Sequence, residues 1–193
     1  MTEREKMLDG RAYSSRDPEL LELYWRAREW LAEFGASGPD RERMRIFRKL
    51  VPQTAEEVWV EPPFFCEYGE NISIGRGSYL NINCFLQDCG RITIGEHALL
   101  GPGVQVCTAS HPLESDRRVV SDPGEEGAPY VTMAKPVTIG DRSWIGANVT
   151  ILGGVTIGAG VVIGAGSVVT GSIPAGTVAY GVPCRIVKTL SEE

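Results

Sequence analysis

The 193-residue sequence lacks several features that would assign it to a broad class at once. It contains no CxxC pair among its five cysteines and only two histidines, and no run of about 20 residues is predominantly apolar. The first ten residues are charged and have no apolar core, unlike a secretory signal. We therefore expect no membrane span and a cytoplasmic location, with the cysteines as buried thiols.

Positive charge is scarce as well. Nineteen Lys and Arg residues stand against 25 Asp and Glu residues, which gives a formal net charge of −6. Nucleic-acid binding needs a basic surface, so nucleic acid is not an expected partner. With 42% hydrophobic residues the chain can bury a core, and its length fits one domain with a small appendage.

Glycine, in contrast, is abundant: the chain has 23 glycines without a Gly-X-Y triplet pattern. From residue 72 onward an aliphatic residue recurs every six positions, and glycine usually follows it. The repeated aliphatic positions are Ile74, Leu80, Leu86, Ile94, Leu100, Val106, Ile139, Ile145, Ile151, Ile157, Ile163 and Val169.

A period of six fits neither a helix nor an alternating strand, but it fits a short strand followed by a turn. Three such repeats close a triangular coil of about 18 residues, and stacked coils form parallel sheets with the aliphatic side chains inside. We expect glycine where the corner backbone resists a Cβ. The period slips near Asp88 and breaks between Val106 and Ile139, so residues 112–135 form a long loop, where function in repeat folds concentrates.

The first 60 residues have a different, helical period. Asp17-Pro18-Glu19 has the pattern of a helix start, and apolar residues follow at helical spacing up to Gly35. A second helical segment ends before Pro52. We predict a helical domain at residues 1–60 and a repeat domain at residues 61–193.

Six segments carry a resemblance to a known family. They are residues 7–13 (MLDGRAY), 17–20 (DPEL), 61–64 (EPPF), 79–84 (YLNINC), 108–113 (TASHPL) and 176–185 (GTVAYGVPCR). The chain resembles the hexapeptide-repeat acyltransferases, and among them the maltose, galactoside and nodulation O-acetyltransferases. The resemblance implies an all-β fold, a left-handed parallel β-helix with a C-terminal cap, and a small N-terminal α-helical domain like that of maltose acetyltransferases.

The resemblance also implies an activity: transfer of acetyl from acetyl-CoA to a hydroxyl of a sugar or similar polyol, with no metal required. It assigns His111 as the general base, and the acceptor attacks the thioester directly. An imidazole, with a reference pKa near ~6.5, suits this role at neutral pH. The other histidine, His97, is interpreted as a solvated corner residue.

Further site residues follow from the same resemblance. For the acceptor it implies Asn81, and the acidic candidates are Asp17, Glu67 and Asp88. For coenzyme A it implies Trp144, Ala147, Ala165, Thr170, Arg185 and Lys188, the last two facing the phosphates. It further implies a homotrimer whose active sites lie between subunits.

The loop at residues 112–135 departs from the family. Where many relatives place Glu shortly before Gly-Lys-Pro, this chain reads TMAKP at residues 132–136. Glu125 and Glu126 are candidates to replace that carboxylate, or else acceptor choice differs. We expect this loop to determine acceptor specificity.

Besides an acyltransferase with a non-sugar acceptor, two other functions stay open for this chain. Zinc carbonic anhydrases use the same β-helix, but they need three histidine ligands and this chain has two histidines. A non-catalytic β-helix that binds a surface or a polysaccharide would need a ladder of one exposed residue type, whereas the exposed repeat positions here are mixed.

Overall fold

The computed structural model describes residues 1–38, 40–124 and 127–190. Helices come first in the chain: α1 (Glu3–Leu8), α2 (Pro18–Ala36) and α3 (Asp40–Leu50). The Asp17 side chain accepts a hydrogen bond from the backbone N–H of Glu19, which confirms the predicted helix start. The helix continues one residue beyond Gly35 before it ends.

Short strands alternate with turns in the rest of the described chain. They are β1 (Gln53–Thr54), β2 (Trp59–Val60), β3 (Phe64–Cys66), β4 (Ile72–Ile74), β5 (Tyr79–Leu80), β6 (Cys84–Gln87), β7 (Ile92–Ile94), β8 (Leu99–Leu100), β9 (Gln105–Cys107), β10 (Ala109–Ser110), then helix α4 (Ser115–Arg118), then β11 (Met133–Ala134), β12 (Val137–Ile139), β13 (Trp144–Ile145), β14 (Thr150–Leu152), β15 (Thr156–Ile157), β16 (Val162–Ile163), β17 (Val168–Val169), β18 (Thr177–Gly181) and β19 (Cys184–Thr189).

These strands stack into a left-handed parallel β-helix of about six turns, as predicted. Among the described residues they form three parallel sheets, which are the faces of a triangular prism. Face one has the order β1-β4-β7-β12-β15, face two β2-β5-β8-β13-β16-β18-β19, and face three β3-β6-β9-β14-β17. All pairs within the faces are parallel except β18–β19, which forms an antiparallel cap.

The repeated aliphatic residues form the interior columns. In register, Ile74 lies beside Ile94 and Ile94 beside Ile139, one coil apart. All twelve predicted core positions belong to one buried hydrophobic cluster. The six-residue period therefore identified the core of the β-helix correctly.

The helical segment shares that core instead of forming a separate one. The Phe47 ring of α3 packs between Phe34 of α2 and Phe64 of β3, with ring centroids 5.4 and 5.2 Å apart. Strands β1 and β2 already pair with the second coil, Gln53 beside Ser73 and Trp59 beside Tyr79. The predicted domain boundary at residue 60 thus lies within the first coil, which begins at Gln53.

Glycine has two roles at the corners. Gly166 has φ +71° and open space around its Cα, so its backbone conformation is the reason for glycine. At Gly146, a Cβ would lie 2.6 Å from the backbone nitrogen of Ala165 in the next coil. The close stacking of coils thus requires glycine independently of φ, which the sequence interpretation did not anticipate.

The outer surfaces of the three faces differ in polarity. The outward residues of face one are polar, namely Gln53, Ser73, Thr93, Thr138 and Thr156. Those of face two are apolar, namely Tyr79, Leu99, Trp144 and Val162. Face three presents Phe65, Phe85, Gln105, Thr150 and Val168. The exposed positions are therefore mixed over the whole coil but polar along face one.

The loop at residues 112–135 is a hairpin. Strands β10 and β11 pair antiparallel, and Val119 and Tyr130 form a further bridge. We call residues 109–124 and 127–134 the insertion hairpin. Glu125 and Glu126, the candidate replacement carboxylates, lie outside the described residues.

Candidate active site

His111 is exposed directly after β10, at the start of the insertion hairpin. Its Nδ1 lies 2.7 Å from the carbonyl oxygen of Val131 on the opposite leg. A carbonyl oxygen only accepts, so Nδ1 carries the hydrogen and donates it. Nε2 is then left with its lone pair, which is the tautomer that can accept a proton from a substrate.

The carbonyl that fixes His111 is itself held in place. The backbone N–H of Val131 donates to the Arg118 carbonyl at 2.8 Å. The Arg118 guanidinium in turn donates to the carbonyls of Pro112 and Leu113 at 3.2 and 3.1 Å. Arg118 therefore joins the two legs of the insertion hairpin close to His111.

Asp88 differs from its predicted role as an acceptor-binding residue. Its side chain is 0% exposed, and its carboxylate accepts backbone N–H bonds from Glu67, Tyr68 and Asn71 at 2.9, 2.8 and 3.2 Å. Burial raises the pKa of Asp88 to about 6, although the three amides oppose that shift. Asp88 thus holds the turn that carries Glu67 and has no surface with which to contact a sugar.

Glu67 and Asp17 lie near the insertion hairpin. Burial raises the pKa of Glu67, and the nearby Arg28 opposes that shift. Burial also raises the pKa of Tyr13, to which the charge of Glu67 contributes. The Tyr13 N–H donates to the Thr132 carbonyl on the hairpin at 3.1 Å, and Asp17 N–H donates to Ser14 at 3.3 Å. Glu67 is therefore close to the segment that borders the hairpin, whereas the Asp17 carboxylate caps α2 next to that segment.

A second group of predicted residues meets in a groove of about 500 Å³ on face two. Asn81, Trp144, Ala147 and Ala165 all line this groove, and Trp144 is 53% exposed. We call it the face-two groove. Among the described residues that line it, none is titratable, and His111 is not one of them.

The Asn81 side chain bonds to the backbone of the residue that follows it. Its Oδ1 accepts the N–H of Ile82 at 2.8 Å. The left-handed backbone position two residues later belongs to Asn83, with φ +61°.

The two predicted phosphate-binding cations both point outward from face two. Tyr180 pairs with Arg185 and Val178 with Lys188, with a register shift between Val178 and Ala179. Without such a bulge, residues three apart on a strand would point to opposite sides. The bulge is not visible in the sequence, and it places Arg185 and Lys188 on one side of β19.

The same outward row continues toward the groove. Trp144 is in register with Val162, and Val162 with Val178, the partner of Lys188. Lys188 thus lies three strands from Trp144, about 14 Å away at ~4.8 Å per strand. Thr170 follows β17 of face three, at another corner, and does not line the groove.

The described residues contain no group of three or more His, Cys, Asp or Glu side chains that could hold a metal ion. Burial raises the pKa values of both Cys84 and Cys89 to about 12, and the two belong to separate hydrophobic clusters. His97 is exposed at a corner, as expected. No helix in the described ranges has the length and apolarity required to cross a bilayer.

Comparison with known proteins agrees with this architecture. The family model for the bacterial transferase hexapeptide (six repeats) matches residues 136–171, and that for the maltose acetyltransferase hexapeptide capping motif matches residues 6–55. Nodulation protein L of Rhizobium meliloti (strain 1021) is 38% identical over 187 residues, which cover 96% of this chain and 97% of that protein. The chain belongs to the hexapeptide-repeat acyltransferase family. The predicted resemblance is therefore confirmed, and the protein is an acyltransferase.

Solved structures of hexapeptide-repeat acyltransferases have the same fold. A maltose O-acetyltransferase from Clostridium difficile 630 has a TM-score of 0.91 and 38% identity, covering 100% of this chain and 99% of its own. A hexapeptide-repeat acetyltransferase from Vibrio cholerae O1 biovar eltor, solved in complex with acetyl coenzyme A, has a TM-score of 0.88 and 38% identity, covering 100% of both chains.

Proposed function

We propose that this protein transfers acetyl from acetyl-CoA to a hydroxyl of a sugar or similar polyol, with His111 as general base. The observation that carries the proposal is the bond from His111 Nδ1 to the Val131 carbonyl, because it leaves Nε2 free to accept a proton. The similarity to a maltose O-acetyltransferase supports the acceptor class.

The face-two groove suits the donor. The complex of the Vibrio cholerae relative with acetyl coenzyme A supports a coenzyme A site in this family. The pantetheine arm would lie along Trp144 and the small residues Ala147 and Ala165, whose short side chains leave the backbone accessible. Arg185 and Lys188 extend from the same face and would pair with the phosphates.

Each active site would combine two copies of the chain. The groove has no base among its described lining residues, and His111 projects from a hairpin that follows face three. Face two has an apolar outer row, and face three is apolar at Phe65, Phe85 and Val168. Head-to-tail contact between unlike faces generates a ring when the rotation closes. We therefore propose a homotrimer in which His111 of one copy faces the groove of the next, and Thr170 can join the donor site only across that contact.

In the proposed reaction the acceptor oxygen forms a bond to the thioester carbonyl carbon while His111 Nε2 takes the hydroxyl proton. The resulting oxyanion needs nearby N–H donors. When the C–S bond breaks, the imidazolium returns the proton to the leaving thiolate. Asn81, Asp17 and Glu67 would hold acceptor hydroxyls, and Asp88 would act only by fixing the Glu67 turn.

The test is thiol release from acetyl-CoA with a panel of sugars, comparing wild type with His111→Ala. General-base removal should lower turnover by about 10²–10⁴-fold without changing the circular dichroism spectrum. His97→Ala is the matched control, because it removes the other exposed histidine and should turn over like wild type. Unchanged turnover of His111→Ala would remove this residue from the mechanism.

A further inference from the structure

The insertion hairpin leaves the coil at a point that is enclosed on two sides. Thr108 precedes the hairpin and Lys135 follows it, and the Lys135 N–H donates to the Thr108 carbonyl at 3.0 Å. We call these two residues the hairpin root. A Cβ on Gly90 of the preceding coil would lie 2.8 Å from the Lys135 carbonyl oxygen, and a Cβ on Gly153 of the following coil would lie 2.8 Å from that of Thr108. The root is therefore packed directly between two corner turns.

The Thr108 side chain joins this root to the preceding coil. Thr108 is 0% exposed, and its hydroxyl donates to the Gln87 carbonyl while it accepts the Gly90 N–H at 2.8 Å. One hydroxyl thus closes the turn at residues 87–90 and binds that turn to the hairpin root. Because the Gly90 N–H is buried, removal of the hydroxyl would leave this donor without its acceptor.

The turn at residues 87–90 is also fixed to the segment that carries Glu67. Asp88 lies within the turn, and its carboxylate accepts the N–H groups of Glu67 and Asn71. The Asp88 carbonyl accepts the Asn71 side-chain amide at 2.8 Å. A displacement of this turn would therefore move the Glu67 segment and, through Thr108, the hairpin root.

We propose that Thr108 is a positioning residue: its hydroxyl fixes the hairpin root to the 87–90 turn and so sets where His111 stands relative to the coil. His111 is three residues further along, directly after strand β10, which pairs with β11 of the other leg. This inference rests on the proposed function, because a misplaced base is detected as slower acetyl transfer. Thr108 itself is enclosed and has no surface for a substrate.

Kinetics of Thr108 variants test the role of the hydroxyl. Thr108→Val keeps the shape of the side chain without its oxygen, so kcat should fall about tenfold while KM for acetyl-CoA stays within about twofold. Thr108→Ser keeps the hydroxyl and should recover kcat to within about twofold of wild type. The acceptor is the sugar that wild type acetylates fastest in the panel described above.

Thr54→Val is the matched control for loss of a buried threonine hydroxyl. Thr54 is 9% exposed in β1, and its hydroxyl donates to the Val51 carbonyl at 2.7 Å. The two Val variants each lose one such bond, so both should lower Tm, but Thr54→Val should keep wild-type kcat.

Amide hydrogen exchange of the intact protein gives a readout that does not need turnover. Thr108→Val should speed exchange of the Gly90 N–H and of the N–H groups of β10 and β11 about tenfold, whereas Thr54→Val should leave them protected. The proposed function fails separately if His111→Ala turns over like wild type, while the exchange rates still report how the root is held.

A double-mutant cycle tests whether Thr108 acts through the 87–90 turn. Asp88→Asn perturbs the same turn, so the double variant should lose less kcat/KM for the sugar than the product of the two single losses. Losses that multiply would overturn the coupling to this turn. A wild-type kcat in Thr108→Val, a Thr108→Ser variant as slow as Thr108→Val, or an equal rate loss in Thr54→Val would overturn the positioning role.

Discussion

At the scale of single residues, the structure distinguishes side chains that can contact a substrate from side chains that only fix the backbone near the site. His111 and Asp88 both occur where the six-residue period is interrupted, and the resemblance to the family made both of them candidate site residues. One is exposed on a hairpin, whereas the other is enclosed with its oxygens bound to backbone N–H groups. The six-residue period shows where the repeat is interrupted, but it does not show whether a side chain at the interruption faces solvent or the interior.

The enclosed carboxyl of Asp88 gives a prediction for the pH dependence of stability. Its pKa is about 6 in the folded chain against a reference of 3.8, so the folded state binds more protons between these values. The free energy of unfolding should therefore fall as pH rises from about 4 to about 6, by up to ~3 kcal/mol from this group alone. Urea titrations at fixed protein concentration, with Asp88→Asn as reference, measure it.

The quantity compared is the difference in the free energy of unfolding between wild type and Asp88→Asn, since all other carboxyl groups are common to both proteins. The free energy of unfolding of wild type minus that of Asp88→Asn should fall across pH 4–6 and be flat above pH 7. A difference that does not depend on pH over the whole range would contradict a raised pKa for Asp88.

At the scale of elements, the sequence predicted the β-helix columns and the start of α2 because each depends on local spacing. It did not predict that β1 and β2 belong to the coil, since a two-residue strand carries no visible period. It also missed the bulge that turns Arg185 and Lys188 to one side and the pairing of the two legs of the insertion hairpin. These features depend on which distant backbone lies alongside, as for Val119 and Tyr130.

The insertion hairpin yields a prediction of its own. Arg118→Met keeps the length of the side chain but removes the donors to Pro112 and Leu113. Pro112 and Leu113 directly follow His111, so the backbone that carries His111 should then be held less firmly, and kcat should fall about three- to tenfold with little change in either KM. Steady-state kinetics with both substrates measure this.

Arg117→Met is the matched control for that change. Arg117 is 75% exposed on the side chain, and its contact is an ion pair with Glu114 at 3.6 Å, worth little at the surface. It should therefore keep wild-type kcat. Equal kinetics for both variants would show that the Arg118 contacts do not support the base.

At the scale of the whole molecule, the unequal polarity of the faces predicts how copies associate. Phe85→Glu places a charge on face three, where we propose that the next copy packs, and should dissociate the trimer and abolish turnover. Thr93→Glu places the same charge on face one and should leave both unchanged. Light scattering coupled to gel filtration, followed by the thiol-release assay, measures the two effects together.

An active protein that stays monomeric at assay concentration would contradict the shared site. So would a Phe85→Glu variant that keeps its mass and its rate. Loss of turnover with the trimer intact would instead indicate that face three contributes to binding and not to assembly.

The two ends of the prism differ from its middle, and this limits what the chain can build. At one end the aromatic stack of Phe34, Phe47 and Phe64 covers part of the first coil, and at the other β19 runs antiparallel to β18 on face two. An uncovered coil would offer a free row of main-chain donors and acceptors to any identical molecule, as in fibrils. Because β19 departs from the parallel order, a further coil cannot add to face two in the register of the repeat, which disfavours lengthwise stacking of identical molecules.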